Sequence, residues 1–175
     1  MSAYDQISAP KPCYEVGRDG LAAWSEPHAE AWLGLLETHR RLTRELDAEL
    51  EAKHGLTLSA LEVLSRLGDA EGHSLRLSVL AGRCGLSLSR ISRIIDSLEA
   101  RGLVERRAVD ADARAVDGHL TDAGLELARC AQATHFASVQ RLFFERLTDP
   151  EVALLADVFS RFLAGAGDTC VETAK

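Results

Sequence analysis

The stretch that decides the fold runs from residue 79 to residue 95 and reads VLAGRCGLSLSRISRII. Gly85 separates two short helical segments, at a point where a tight left-handed turn needs a residue without a side chain. Ser87 is of the type that caps a helix N-terminus, and Ala81 is small where a second helix must cross closely. The stretch therefore predicts a helix-turn-helix. The apolar positions that would hold the crossing together are Leu80, Cys84, Leu86, Ile91 and Ile95.

The second helix of this pair has a polar face that carries arginine but no acidic residue. Ser89, Arg90, Ser92 and Arg93 project from it, and no acid occurs between Arg83 and Arg93. Arginine can pair bidentately with guanine edges in the major groove, and serine can bond phosphates or bases. An ordinary solvated face is the alternative, but such a face seldom lacks acids. We therefore predict that these four residues contact DNA.

The charge of the chain is uneven, and the basic part coincides with this helix pair. The 175 residues include 20 basic and 27 acidic ones, a net charge of −7, which argues against a general coat for nucleic acid. Between residues 76 and 114, however, eight arginines stand against five acids, so this part has a net charge of +3 and the rest has −10. A basic middle between acidic segments is a local electrostatic footprint of the kind that binds DNA.

The segments around the helix pair are predicted from spacing and caps. Apolar spacings of three and four indicate a long helix over 28–54, ended by Gly55, and a second helix capped by Thr57 or Ser59. A short extended piece at 75–77 precedes the helix pair, and Gly102 follows it. Residues 103–107 and 116–120 alternate apolar and polar positions, which predicts a two-stranded hairpin with a long tip.

Two further helices are predicted after the hairpin, and an irregular arm before the first helix. Thr121 is expected to cap a helix of some 25 residues, and Thr148 and Glu151 form a capping box before a last helix. The last helix is expected to bury Leu155, Val158, Phe159 and Phe162. Residues 1–27 hold three of the four prolines and show no period, so they are expected to be irregular.

The residues after the helix pair resemble the signature of the MarR (multiple antibiotic resistance regulator) family. The resemblance rests on LEARGLVER at 98–106, DAR at 112–114 and LTDAG at 120–124, and it extends in register over roughly residues 30–165. It implies a mainly α-helical protein with a small β-hairpin wing. It also implies a dimeric winged helix-turn-helix transcription regulator, usually a repressor, whose partners are a second copy of the chain and double-stranded DNA with an inverted-repeat operator.

The resemblance also implies roles for single residues. Ser89, Arg90, Ser92 and Arg93 would contact the major groove, Arg114 in the wing would enter the adjacent minor groove, and Asp112 would brace the wing loop. Members of the family often carry a second basic residue at the wing tip, whereas Ala113 and Ala115 flank Arg114 here. We therefore expect weaker and less salt-dependent binding by this wing.

The resulting domain organisation has three parts. Residues 1–27 form the arm, 28–165 form the winged helix-turn-helix domain, and 166–175 form a frayed tail. Within the domain the DNA-binding core spans about 57–120, and dimerisation helices span about 28–54 and 121–165. An effector site is also suggested by the resemblance, because family members bind phenolic or other anions between the first helices and the winged part. Residues of the right chemical kind are Trp32, His39, Arg40, Arg41 and Arg66, although Trp32 could equally be core and the arginines ordinary surface charges.

Several other classes of protein fit the sequence less well. Cys13, Cys84, Cys130 and Cys170 have no CxxC spacing, so thiol-based redox sensing is an alternative without a motif. The histidines form no HxxxH pair, and GxSxG, HExxH and a glycine-rich phosphate loop are missing from the sequence, so we predict no metal, no cofactor, no catalytic residue and no enzyme. A winged-helix module that binds protein rather than DNA is the remaining alternative. A signal peptide and a membrane-length apolar run are also missing, so we expect a cytoplasmic protein without membrane contact.

Overall fold

The computed structural model of the protein describes residues 12–109 and 112–164, with the side chains of Val109 and of residues 112–115 left undefined. By its contacts the chain divides into two compact units, with the boundary between Thr43 and Arg44. The boundary falls within helix α1 (His28–His54). The predicted tail at 166–175 and the first eleven residues of the predicted arm lie outside the described residues.

The first unit contains a β-hairpin that the sequence did not predict. Strands β1 (Tyr14–Val16) and β2 (Ala22–Trp24) pair antiparallel, and Tyr14 lies opposite Trp24 with the ring centroids 6.4 Å apart. The expectation of an irregular arm is therefore wrong for residues 14–24. The two strands have only three residues each, too few for an alternating pattern to be recognised. Among residues 12–43, which include the start of α1, every side chain is at least partly exposed.

The second unit holds the predicted helices, with the predicted caps. These helices are α2 (Leu58–Gly68), α3 (Leu77–Arg83), α4 (Leu88–Glu99), α5 (Asp122–Leu142) and α6 (Asp149–Leu163). Of the two candidate caps for α2, Thr57 is the cap, and its side chain accepts from the backbone N–H of Ala60. Ser87 and Thr121 cap α4 and α5 in the same way. The capping box of Thr148 and Glu151 at α6 is also confirmed.

A three-stranded antiparallel sheet packs beside these helices. Strands β3 (Ser74–Arg76), β4 (Val104–Val109) and β5 (Asp112–Leu120) are arranged in the order β3-β5-β4. The predicted hairpin is confirmed at its base, where Val104 lies opposite Leu120. The predicted long tip is wrong, because pairing continues past a bulge at Ala108 and Val109. Only residues 110–111 separate the two strands, and they lie outside the described residues.

The core of the second unit is formed where α2, α4 and the base of the sheet meet. Gly118 of β5 faces this core, since a Cβ there would lie 3.4 Å from Cδ1 of Ile95 and 3.7 Å from Cγ1 of Val104. Burial of these aliphatic side chains is the main stabilising contribution to the unit. The largest fully buried side chains are Leu50, Leu56, Val63, Leu64, Leu67, Leu80, Ile91, Ile95, Leu98 and Val104.

Helix α5 begins in direct contact with the turn that ends α4. Its cap Thr121 donates through its hydroxyl to the carbonyl of Gly102 (2.8 Å) and through its backbone N–H to the carbonyl of Leu103 (3.1 Å). Gly124 is buried against the same turn. The strand β5 ends at Leu120, so a single residue separates β5 from α5. The base of the wing, the end of α4 and the start of α5 are therefore directly connected by hydrogen bonds and packing.

Polar contacts connect the C-terminal part of α5 to the end of α1. Glu49 accepts from the hydroxyl of Ser138 (2.7 Å) and from the guanidinium of Arg141 (2.9 Å), and it pairs with Lys53 (2.7 Å). Hydrogen bonds from Lys53 and Ser138 lower the pKa of Glu49 to about 2. Glu49 is therefore ionised at neutral pH, and the ion pairs between α1 and α5 are formed there.

Helix α6 leaves its apolar side exposed. The expectation that it buries Leu155, Val158, Phe159 and Phe162 is not met within a single chain, because α6 contains no buried residue. Phe162 is 76% exposed, and Leu154, Phe159 and Leu163 are also exposed. Over the described part of the chain, every helix is too short or too polar to cross a membrane.

Candidate nucleic-acid interface

Helices α3 and α4 form the predicted helix-turn-helix. Gly85 lies in the turn with φ +61°, the left-handed conformation that favours glycine. The N–H of Leu86 donates across the turn to the carbonyl of Ala81 (3.0 Å). Leu80 and Ile91 are fully buried between the helices, whereas Cys84 and Leu86 are half-buried. The buried contacts fix the direction of α4, so its opposite side is presented to solvent.

The N-terminal part of α4 presents polar and cationic side chains to solvent. Ser89, Arg90 and Arg93 are all exposed, as predicted. The guanidinium of Arg90 lies 3.4 Å from the hydroxyl of Ser59, and Arg93 has no hydrogen bond or ion pair among the described residues. Leu88, which sequence analysis did not select, is 54% exposed beside them. Two guanidinium groups without a carboxylate partner in the described chain are available here for an anionic ligand.

Ser92 differs from the other three predicted contacts. It is half-buried, and both its carbonyl and its hydroxyl oxygen lie 3.1 Å from Nη2 of Arg106. The same nitrogen donates to Asp96 at 2.6 Å. Ser92 therefore lies against the wing strand β4 and not on the stripe that carries Ser89 and Arg93. Its predicted contact with DNA stays a prediction.

Fewer arginines are available for DNA than the number between residues 76 and 114 indicates. Arg106 is paired with Asp96 and Glu99, and Arg107 is paired with Glu105. Arg101 donates to the carbonyls of Gly55 (2.6 Å) and His54 (3.0 Å) at the C-terminus of α1, where a cation interacts favourably with the helix dipole. Sequence analysis gave none of these three a role. The sequence feature that could have indicated these ion pairs is the spacing of Asp96 and Glu99, which lie one helical turn apart and are followed closely by arginine.

A groove of about 570 Å³ runs alongside α4, towards the start of α2. Arg90, Arg93 and Arg101 line it together with a single acid, Glu51. Apolar side chains that include Leu56, Ile94 and Leu98 form its remaining wall. The groove therefore offers cationic groups beside an apolar surface.

The predicted wing residues lie on β5, but their side chains are outside the described part of the structure. Asp112 and Arg114 belong to the strand, and the backbone of Asp112 pairs with Val109. The sheet places this end of the hairpin opposite its base at Val104 and Leu120. The bracing role of Asp112 and the groove contact of Arg114 remain predictions.

The residues predicted for an effector site fall in both units. Trp32, His39, Arg40 and Arg41 are exposed in the first unit, where Arg40 lies 3.8 Å from Glu37. Arg66 belongs to the second unit, where it lies 3.7 Å from Glu62 within α2. A common site for the five residues stays a prediction.

Three of the four cysteines lie in the described part of the chain. Cys84 is half-buried at the helix crossing, Cys13 is half-buried in the first unit, and Cys130 is exposed on α5 with its sulfur 3.9 Å from Glu126. Cys170 lies outside the described residues. Thiol-based redox sensing stays an untested alternative.

The helix-turn-helix with its paired strands β4 and β5 defines the class of winged helix-turn-helix proteins. Comparison with known proteins narrows the class. The model of the MarR family matches residues 54–115. AbsC, a MarR family transcriptional regulator from Streptomyces coelicolor, is 33% identical, and the match covers 82% of this chain and 99% of AbsC with a TM-score of 0.72.

Two further relatives agree with this assignment. Sco3205, a MarR family transcriptional regulator from Streptomyces coelicolor whose structure is a complex with DNA, is 26% identical with a TM-score of 0.76, and the match covers 84% of this chain and 92% of that one. The transcriptional repressor MprA from Escherichia coli (strain K12) is 34% identical over 105 residues, 59% of each chain. This chain therefore belongs to the MarR family of transcriptional regulators, as its sequence signature predicted.

Proposed function

We propose that this chain is a repressor that binds double-stranded DNA with α4 in the major groove. The observation that carries the proposal is the exposed face of α4, where Arg90 and Arg93 have no carboxylate partner in the described chain while nearby Asp96 and Glu99 are paired with Arg106. The face is therefore cationic where DNA would approach. The DNA complex of Sco3205 and the repressor function of MprA support the same proposal. We further propose that the chain acts as a regulator rather than an enzyme, and in the cytoplasm, because both relatives are transcriptional regulators.

The wing completes the proposed interface. We propose that Arg114 enters the minor groove beside the half-site contacted by α4, and that Asp112 braces the wing loop. The position of both residues at the far end of β5 supports this, because the antiparallel hairpin projects from its base beside α4. Arginine is well suited to the negative potential of a narrow minor groove.

We also propose that the working form is a homodimer. The support is the apolar side of α6, which includes Phe159 and Phe162 and has no buried residue in the single chain. In the first unit, Trp32, Leu33 and Leu35 of α1 are likewise exposed. Covering such surfaces between two copies is typical of obligate dimers, whose interfaces are large and apolar.

The dimer predicts a definite mass in solution. Sedimentation equilibrium at micromolar concentration is expected to give twice 19.0 kDa, because exposure of the apolar surface of α6 disfavours the monomer. Replacing Phe159 and Phe162 by aspartate is expected to shift the mass towards the monomer. The same change at Ser78, which is exposed on α3 and lies outside the predicted dimerisation helices, is expected to leave the mass unchanged. A wild-type chain that sediments as a folded monomer would contradict the proposal.

The experiment that tests DNA binding is selection from a pool of random duplexes. The expected product is an inverted repeat with half-site centres about one helical turn apart, roughly 10 bp, because a two-fold protein presents two copies of α4. Enrichment of a single asymmetric half-site would contradict the dimeric mode. If the pool yields no enriched sequence while the protein is folded, the alternative of a protein-binding module is favoured.

A small anionic effector is proposed as the regulator of this binding. The groove beside α4 supports the proposal, since Arg90, Arg93 and Arg101 stand there beside an apolar wall. An aromatic carboxylate matches both features, and its presence would occupy arginines needed for DNA. The residues of the first unit, Trp32 and His39 among them, are the second proposed location.

A further inference from the structure

We infer that Arg106 is the positioning residue that fixes the wing to the DNA-contacting helix. The inference rests on the proposed function, because its consequence is a defined geometry between two parts of the DNA interface. Arg106 belongs to β4, and its partners all belong to α4. It does not itself need to touch DNA.

The contacts of Arg106 extend over two turns of α4. Its Nη2 lies 2.6 Å from Oδ1 of Asp96 and 3.1 Å from both the carbonyl and the hydroxyl oxygen of Ser92. Its Nε lies 3.5 Å from a carboxylate oxygen of Glu99, and its backbone N–H donates to the other oxygen of that carboxylate at 3.0 Å. Main chain and side chain of one strand residue are thus both held by the helix.

These contacts fix an orientation that apolar packing alone leaves adjustable. The base of the wing is attached to the core through Val104 and Leu120, which are buried aliphatic side chains without directional preference. The hydrogen bonds from Nη2 to Ser92 and Asp96 and from the backbone N–H to Glu99 are directional, whereas Nε is buried without a hydrogen bond to any described residue. The direction in which β4 leaves α4 is therefore set by Arg106.

Arg106 also removes the negative charge of the two acids from the interface. Asp96 and Glu99 are exposed, on the same helix as Arg90 and Arg93. Without Arg106 their carboxylates would repel the DNA backbone and weaken the attraction of the neighbouring arginines. Loss of Arg106 should thus combine a geometric effect with an electrostatic one, and the two can be separated by mutation.

The first experiment compares Arg106→Gln with Arg107→Gln in the full-length dimer. Arg107 is the next residue of the same strand and pairs only with the exposed Glu105 among the described residues, so its loss removes the same charge without touching α4. Affinity is measured for the selected operator and for a random duplex. Arg106→Gln is expected to lower the ratio of the two affinities at least tenfold, because only the operator complex requires α4 and a firmly placed wing to fit at the same time. Arg107→Gln should leave the ratio unchanged. An unchanged ratio in Arg106→Gln would overturn the inference.

Footprinting supplies a readout that a general loss of stability would not produce. With Arg106→Gln at saturating concentration, guanine N7 in the major groove should remain protected from methylation, while protection of the flanking minor groove from hydroxyl radicals should disappear. Disappearance of both protections together would contradict a positioning role. If Arg106→Gln does not fold, Arg106→Lys serves in its place, because lysine keeps the charge and the backbone bond to Glu99 but lacks the planar guanidinium that fixes the direction of the side-chain contacts.

A double variant separates position from charge. Arg106→Gln with Asp96→Asn is expected to regain affinity for the random duplex, because the unpaired carboxylate is removed, but not the preference for the operator. Recovery of the preference as well would show that Arg106 acts only by neutralising charge and would overturn the positioning role. Failure of the wild-type chain to bind any duplex would instead contradict the proposed function, so the two failures are distinguishable.

Discussion

Replacing Gly124 by alanine is expected to lower the free energy of unfolding by about 3 kcal/mol or more, although alanine is the better helix former. A Cβ at this position would overlap the carbonyl oxygen of Leu103 and would lie 2.7 Å from Cδ1 of Leu120. The carbonyl belongs to the backbone of the turn after α4 and accepts from Thr121, so it cannot move away without breaking that hydrogen bond. The start of α5 would be forced away from the wing and from α4.

Thermal and urea unfolding of Gly124→Ala, compared with wild type, measures the effect. A loss of about 3 kcal/mol corresponds to a decrease in Tm of roughly 6–12 °C for a chain of this size. Gly82→Ala is the matched control, because Gly82 lies in helix α3 with open space around its Cα, and alanine there should be neutral or slightly stabilising. Equal stability of Gly124→Ala and wild type would mean that α5 does not begin against the turn as described.

Replacing the arginines of α4 by alanine is expected to weaken operator binding with little effect on the fold. Arg90→Ala and Arg93→Ala should each cost roughly 1–3 kcal/mol on the operator and much less on random DNA, if each contacts a base edge. Arg114→Ala should weaken binding to both duplexes more evenly, because minor-groove contacts are mainly electrostatic. It should also reduce the slope of log affinity against log salt by about one unit for each phosphate that the variant no longer neutralises.

The measurement is affinity for both duplexes across a series of salt concentrations. Arg129→Ala is a suitable control, because Arg129 is exposed on α5 and lies 3.6 Å from Glu126 of the same helix. All variants should retain the wild-type Tm, since Arg90 and Arg93 are exposed on the polar side of α4. Wild-type operator affinity in all three variants would show that α4 and the wing do not form the interface.

The local features of the fold could be predicted from the sequence because their causes are local. Gly85 and Gly102 have the positive φ angles that their positions in the pattern demand, and Ser87 and Thr121 cap the helices that begin beside them. A cap or a left-handed turn depends on residues within one turn of the chain. The family signature at 98–124 includes Gly102 and Thr121, and it made the class of protein predictable as well.

What the sequence did not predict depends on contacts between distant elements. The orientation of Ser92 towards β4 follows from the rotation of α4 relative to the wing, which no spacing within 88–99 determines. The bond of Arg101 to Gly55 joins residues 46 positions apart. The expected burial of Phe159 and Phe162 failed in the single chain because an amphipathic pattern shows that a face is apolar but not which surface covers it.

The direct attachment of α5 at Thr121 means that a tilt of this helix is transmitted to the wing and to the end of α4. At 1.5 Å per residue the 21 residues of α5 form a rod about 30 Å long. Its N-terminus is hydrogen-bonded to the turn after α4, and its cap Thr121 follows β5 directly. A tilt of α5 by about 5° around its N-terminus moves its C-terminus by about 3 Å. In the proposed dimer, small movements of the long helices would therefore change the distance between the two DNA-contacting helices. A flexible linker in place of the direct connection would not transmit such movements.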